Sequence, residues 1–413
     1  MANVKPFFSV VTPEEARKIL LAAPPVGSEE IATVNSRGRV LAKDLYSAVD
    51  LPHFHRAAMD GYAVKAKETF GASASLPAYL KLAGTVEMGR EVTRPLQSGE
   101  AMRISTGGML PPESDAVVMI EYTEEVSDGT VEIHRGVSPW QNVIQIGDDI
   151  KKDDLVFPRG KTVRAQDVGA LTGVGISLLP VYRRPQVALI STGDELVEAD
   201  VEPRPGQVRN INQHSLAALI DELGAELKDF GVIRDDREAL AQALAEALAW
   251  ADLVLLSGGS SVGTRDIAME TILSFPQAQI LFHGISVSPG KPTIFAKIGE
   301  KPVLGLPGYP VSALVIFDLF AAPLIRKLRG EDGDEQRFRK TTRAILKRGI
   351  PSQTGREDYI RVTLERIGEQ RYATPLPSKS GAIFTLVKAD GMVRVDLNQE
   401  GIEEGEQVEV ILF

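Results

Sequence analysis

The chain has 413 residues, 43% of them hydrophobic and 25% charged, the balance of a globular protein long enough for about three domains. Its formal charge of −10, from 46 basic and 56 acidic residues, argues against a nucleic-acid partner. There is no cysteine, which excludes disulfides and thiolate chemistry, and no apolar run approaches membrane-spanning length. The opening MANVKPFFSVVTPEEA lacks a signal-peptide pattern, so a cytoplasmic protein without a membrane partner is expected.

Residues 12–21 predict a helix. Thr12 suits the N-cap, Pro13 the first turn, and Glu15 completes a capping box. Residues 31–48 alternate roughly and predict strand, with a turn at Ser36-Arg37-Gly38. Residues 51–64, LPHFHRAAMDGYAV, set a lone acid, Asp60, among apolar side chains. Asp60-Gly61 suits a functional acid or a hairpin turn. His53 and His55 form a metal-ligand pair only if further ligands join them, and a structural role is the commoner one. Residues 78–131 read as short strands with glycine turns, and Thr106-Gly107-Gly108 suits an anion or a plain turn. Residues 140–150 present Asp148 and Asp149 after an amide-rich strand, and residues 165–172 predict a small helix.

The richest stretch is residues 181–328. Four apolar strands are expected at 187–195, 229–236, 251–257 and 303–310, with helical segments between them, which predicts a parallel sheet. Ligands of such sheets sit beyond the carboxyl ends of the strands. The third strand runs into Gly258, Gly259, Ser260, Ser261 and Gly263, with a helix expected near Asp266. Small residues there leave backbone N–H groups open to an anion. The loop lacks the Gly-Lys-Ser/Thr of a P-loop, and an ordinary strand-to-helix turn is the alternative. Asp235 and Asp236 precede a strong helix, where N-capping is worth about 1 kcal/mol. Thr192 and Glu195 match a capping box. Lys291, between Pro289 and Pro292, suits an oxyanion or is a surface lysine in a turn. Residues 330–340 are a charged linker. Residues 341–413 predict a β-domain, with Arg356, Arg361 and Lys388 as anion binders or solvated surface.

Taken in order, GRVLAKDL, DLPHF, AAMDGYAV, STGDEL, SGGSSVG, PGKP and LPGYPVSA make the chain resemble the molybdopterin molybdenumtransferase family, related to the catalytic domain of gephyrin, essentially end to end. The resemblance implies an α/β and β multidomain fold. A mixed α/β N-terminal domain would span 1–50 and 150–180, and an elongated β-rich domain carrying AMDGYAV would span 51–149. A central parallel-sheet α/β nucleotide and pterin-binding domain would span 181–329, and a C-terminal β-domain 330–413. It implies a Mg²⁺-dependent enzyme that inserts molybdate into adenylylated molybdopterin and releases AMP. An elongated homodimer is implied, with the site between the sheet domain of one subunit and the AMDGYAV domain of the other. The molybdopterin adenylyltransferase is a further expected partner.

By resemblance, Gly258, Gly259, Ser261 and Gly263 would cradle a substrate phosphate. Glu195, Asp235 and Asp266 would hold Mg²⁺, which takes a few carboxylates, water and phosphate oxygens. Asp60 and Asp149 match family acids, and Thr106 matches a site threonine. Pro307 and Pro310 would shape the molybdate pocket with Lys291, Arg361 and Ser380.

Several positions depart from the family pattern. Asn142-Val143-Ile144-Gln145-Ile146 lacks the usual arginines, Gly284 and Ser288 stand where lysines are common, Ala58 replaces a serine, and Tyr309 an asparagine. Positive charge around the anions is thereby reduced. A tungstate-preferring insertase and a non-catalytic molybdopterin-binding or scaffold protein are therefore alternatives. Adenylyl transfer is disfavoured, because it needs only the sheet domain.

Overall fold

The computed structural model describes residues 10–126, 128–258, 267–331, 340–377 and 379–413. Its centre is a six-stranded sheet in the spatial order Glu226–Ile233, Gln186–Thr192, Leu253–Ser257, Lys301–Leu306, Ile294–Ile298, Ala278–His283. The first four strands are parallel, as the buried apolar runs of the inner three predict, while the edge strand Glu226–Ile233 carries Glu226, Lys228 and Asp229. The last two add antiparallel strands that the parallel expectation did not include. The short Gly299-Glu300 connection before Lys301–Leu306 allows only a hairpin, since a parallel crossover needs a dozen or so residues.

Alternation along the strands divides the core. Val187, Leu189, Leu253 and Leu255 face one layer with Leu216 and Ile220 of helix Ile211–Glu222. Ala188, Ile190, Val254 and Leu256 face the other with Leu240, Ala243, Leu244 and Ala247. Those last four recur at helical spacing on Arg237–Trp250, so one stripe of that helix is buried. Two helical layers thus sandwich the sheet and leave its strand ends as the open edges.

Helix Pro13–Leu20 forms with the expected Thr12–Glu15 capping box, and its Ala16 and Leu20 join the first of these layers. The strand expected over 31–48 breaks up. Strand Ser28–Ala32 stops at a 3-10 turn, Thr33–Asn35, and Leu45–Tyr46 is separate. The Ser36 hydroxyl donates to Thr33 O at 2.6 Å and holds that turn. Leu41, Val163, Leu171, Leu179 and Val181 form a small cluster beside it, with helix Ala165–Gly173 as one wall.

Residues 57–137 build a second six-stranded sheet ordered Ala116–Met119, Gly61–Val64, Glu100–Ile104, Ala78–Thr85, Thr130–Ile133, Thr123–Glu125. The strand expected within 140–150 shortens to Val143–Ile144, paired with Arg56–Ala57, because Trp140 and Asn142 adopt φ of 66° and 58°. Asp60-Gly61 is not a hairpin turn. Gly61 opens a strand, and a Cβ there would lie 1.9 Å from Val118 O, so the residue is glycine for close backbone approach. The C-terminal strands Glu357–Ile367, Gln370–Pro375, Thr341–Leu346, Gln407–Leu412 and Gly391–Val395 close into a barrel, because the first and last also pair. Tyr359 and Met392 leave its interior and pack into the α/β core.

Candidate functional site

All four parallel strands end on one edge of the central sheet, and their last residues touch. Asn212, at the start of helix Ile211–Glu222, donates from Nδ2 to Ser257 Oγ at 3.0 Å and to Gly308 O at 2.9 Å. Gly258 lies against Thr192. A Cβ at Gly258 would meet Thr192 O at 2.2 Å, and its φ of +104° also favours glycine. Thr192 Oγ1, Ser191 Oγ and Asn212 Oδ1 are buried there without a hydrogen-bond partner among the described residues. Native interiors pair such atoms, so their concentration at one edge marks a place built to receive polar groups. Gly259, Ser261, Gly263 and Asp266 lie outside the described residues.

Beside this edge stand three carboxylates. The Asp235 N–H donates to Asp194 Oδ1 at 3.2 Å. Burial pushes the Asp235 carboxyl pKa up, and the Asp194 and Glu195 charges add to the rise. Asp236 has a different role. Its Oδ1 accepts from Ala239 N–H at 2.8 Å and caps helix Arg237–Trp250. Thr192 and Glu195 form no capping box, because Gly193 at φ +150° turns the chain into the short strand Leu196–Val197 instead of a helix.

A cationic wall assembles next to the fourth strand end. Pro310 occupies the first turn of helix Pro310–Ile316, and Val311 N–H donates to Ser380 O at 3.1 Å. Pro307 is buried and Tyr309 is exposed. The Lys291 loop packs on the same helix, since a Cβ at Gly290 would lie 2.4 Å from Ile316 Cγ1. Lys291 itself is exposed, while its carbonyl accepts from Ile285 and Thr293 N–H. Just before it, Val287–Ser288 pairs with Glu357 and Asp358, which brings strand Glu357–Ile367 alongside. Arg361 on that strand is 2% exposed. Its Nη2 donates to Pro377 O at 2.9 Å, its Nε has no partner among the described residues, and burial pushes its pKa down. The solvated alternative for Arg361 is thereby excluded. Arg356 instead pairs with Asp358 at 3.2 Å, and Lys388 is exposed.

The remaining sequence candidates sit on the sheet of residues 57–137 and its border. Asp60 Oδ1 accepts from Thr106 N–H at 2.6 Å and from Thr106 Oγ1 at 3.0 Å. These bonds hold the Asp60 pKa below the usual carboxylate range. Asp148 Oδ2 accepts from Gln145 N–H at 2.7 Å, a turn contact, whereas Asp149 is exposed and its carboxylate makes no hydrogen bond among the described residues. This region and residues 186–327 pack into separate hydrophobic clusters, so one chain does not join the two sets of candidates through a shared core.

Among the described residues, no third ligand group joins His53 and His55. His55 Nδ1 accepts from Ile146 N–H at 3.2 Å and its ring stacks 4.9 Å from Trp140. Among the described residues, ligand atoms of one group alone lie within 4.8 Å of one another, those of Glu124, Glu132 and His134. Sequence reasoning missed Asn212 and Asp194. Asp194 adjoins Glu195 in the STGDEL motif. Asn212 carried no local signal, since its contacts come from segments 45 and 96 residues away.

Comparison with known proteins covers nearly the whole chain. Residues 11–175 match the MoeA N-terminal region (domain I and II), residues 188–327 a probable molybdopterin binding domain, and residues 343–413 the MoeA C-terminal region (domain IV). A Methanocaldococcus jannaschii protein named for molybdopterin biosynthesis is 38% identical over 396 residues, spanning 93% of this chain and 92% of its own. The molybdopterin molybdenumtransferase of Haemophilus influenzae is 35% identical over 356 residues, 85% of each chain. The crystal structure of a molybdopterin biosynthesis MoeA protein from Pyrococcus horikosii superposes with a TM-score of 0.84 at 38% identity, covering 98% of this chain and 99% of that one.

Proposed function

The chain belongs to the MoeA family, and from that premise we propose that it is a molybdopterin molybdenumtransferase acting on adenylylated molybdopterin and molybdate, with release of AMP. The observation that carries this reading is the meeting of three strand ends at Gly258, next to polar atoms of Ser191, Thr192 and Asn212 that have no partner among the described residues and near the carboxylates of Asp194, Glu195 and Asp235.

In this reading the glycine loop starting at Gly258 takes a substrate phosphate, because its glycines and serines carry no bulky side chain that would crowd an anion. Lys291, Pro307, Pro310, Ser380 and Arg361 take the molybdate. A buried guanidinium with a free N–H and no carboxylate partner among the described residues suits an incoming oxyanion. Asp60, held as the anion by Thr106, accepts a proton or orients a cation, and Asp149 offers a second open carboxylate. Both would come from the second subunit of a homodimer.

The donor set Glu195 and Asp235, with Asp266, is carboxylate oxygen throughout, which is what Mg²⁺ takes. The mutual repulsion that raises Asp235 is also what a cation offsets. When bound, Mg²⁺ supplies Lewis-acid polarisation of the pyrophosphate-type bond. Among the described residues, Glu195 and Asp235 join no tight ligand cluster, which suits an ion that keeps water and substrate oxygens in its shell.

The test is turnover. Purified protein receives adenylylated molybdopterin and Mg²⁺ with molybdate or tungstate in parallel, and AMP and metallated pterin are followed. AMP release that depends on one oxyanion supports the insertase and assigns its metal. Tight pterin binding with no AMP release under either oxyanion overturns the catalytic reading.

A further inference from the structure

The opposite edge of the central sheet, where the parallel strands begin, carries a cleft of about 490 Å³. The end of helix Ile211–Glu222 and Thr162 line part of it, and three further segments line the rest: the turn after the 3-10 helix Thr33–Asn35, the link into strand Gln186–Thr192, and the C-terminal end of helix Ala322–Leu328. Each of these three contributes two arginines, namely Arg37 and Arg39, Arg183 and Arg184, Arg326 and Arg329. Among the described residues, two carboxylates, Glu222 and Glu331, line the same space.

This cluster is built rather than accidental. Arg329 fastens the segments together. Its Nη2 donates to Gly38 O at 2.6 Å, its Nη1 donates to Leu223 O, and Nη1 pairs with Glu331 at 3.2 Å. Tyr182 forms part of the floor, and Gly330 lies so close that a Cβ there would be 2.2 Å from the ring. Arg39 donates to Glu29 and to Tyr182 O at 2.8 Å, and Arg183 pairs with Asp252. Arg37 and Arg184, by contrast, pair with no carboxylate among the described residues, and both are exposed. Burial pushes the Arg329 pKa down, with Arg326, Arg184 and Arg39 adding to the fall. A guanidinium does not shed its proton in a protein, so the Arg329 charge stays; Glu331 at 3.2 Å offsets part of the repulsion from Arg326, Arg184 and Arg39, and an entering anion would offset the rest.

We propose that this cleft binds a small polyanion bearing phosphate groups, at a site separate from the strand ends around Gly258. Planar guanidinium forks arriving from three directions match the several oxygens of a phosphate better than a single carboxylate. The volume suits a compact ligand and not a folded partner. Location supports the separation. Arg183, Arg184 and Leu223 precede the strands Gln186–Thr192 and Glu226–Ile233, whereas Thr192 ends its strand and Gly258 follows the end of Leu253–Ser257.

The experiment is calorimetric titration of the full chain with pyrophosphate, orthophosphate and AMP, at low salt and again at 0.3 M NaCl as a roughly threefold-screened control. Pyrophosphate is expected to bind saturably at low salt and more tightly than orthophosphate. AMP at least as tight as pyrophosphate, and weakened with it in Arg37→Ala and Arg184→Ala, assigns a nucleotide-bearing ligand, whereas AMP binding that these variants leave unchanged belongs to the strand ends and assigns the cleft a compact inorganic or sugar phosphate. Arg37→Ala and Arg184→Ala should each weaken binding about tenfold, since each removes a charge-assisted contact. Neither side chain holds the fold, so both variants should melt with the wild type. Lys291→Ala, at the other edge, should bind pyrophosphate unchanged. Loss of binding in Lys291→Ala with wild-type binding in Arg37→Ala and Arg184→Ala overturns the proposal and places the anion at the strand ends. So does the absence of saturable binding in the wild type. Turnover of adenylylated molybdopterin is scored separately, so failure here leaves the proposed function standing.

Discussion

Asp60 Oδ1 accepts both donors of Thr106, the N–H at 2.6 Å and the hydroxyl at 3.0 Å. The two residues lie 46 positions apart and act as one unit. Thr106 is therefore occupied in orienting a carboxylate rather than open to a substrate anion. The depressed pKa keeps Asp60 ionised into acid solution, and that benefit is lost as pH falls through the folded value.

Thr106→Val removes the hydroxyl bond and leaves the N–H bond. The acid limb of the kcat/KM profile should move to higher pH, toward the ordinary carboxylate range, with little change at neutral pH. A pH–rate series on the two proteins measures this. An unmoved acid limb would remove Asp60 from the reaction.

Gly258→Ala should destabilise the α/β region by about 1–3 kcal/mol, through backbone strain at positive φ and the contact with Thr192 O. Denaturant unfolding of wild type and variant reports it. A comparison at Gly206, where φ is +90° but nothing lies within 4 Å of the added Cβ, separates the strain from the clash.

Arg361→Met tests whether a buried cation is kept for function. Replacing an uncompensated buried charge with an apolar side chain of similar length should leave stability within about 1 kcal/mol of wild type or raise it. The apparent KM for molybdate should rise at least about tenfold, the loss of one charge-assisted contact. Equal KM values in wild type and variant would detach Arg361 from the oxyanion.

Asp235 and Asp236 are neighbours with opposite expectations. Asp236→Ala removes an N-cap and should cost about 1 kcal/mol while turnover persists. Asp235→Asn removes a carboxylate from a repelling group and should leave the fold intact. The raised folded pKa means the ionised Asp235 weakens the fold at neutral pH, and this cost fades as pH falls through the folded value. Mg²⁺ should therefore raise the Tm of the wild type at pH 7 and fail to raise that of Asp235→Asn. Thermal scans with and without the ion decide it.

Much of this was legible from residue order. Alternation-free apolar runs identified the parallel strands, because a strand buried on both faces has no polar period to show. Capping chemistry is local, so Thr12–Glu15 was read correctly. The same logic failed at Thr192 and Glu195, where Gly193 redirects the chain before a helix can start. It failed again over residues 31–48, where a hydroxyl-held turn outweighs a weak alternation.

What the sequence determined by itself is the family, the layered α/β centre and the short motifs whose chemistry lies within a few consecutive residues. Tertiary structure alone decided which groups share an environment. It buried Arg361 and left Arg356 and Lys388 outside, enlisted Asn212 to tie Ser257 to Gly308, and gathered six arginines at the far edge of the sheet. The reason is physical. Burial and electrostatic coupling depend on distance through space, and a strand's neighbours in a sheet come from segments far apart along the chain.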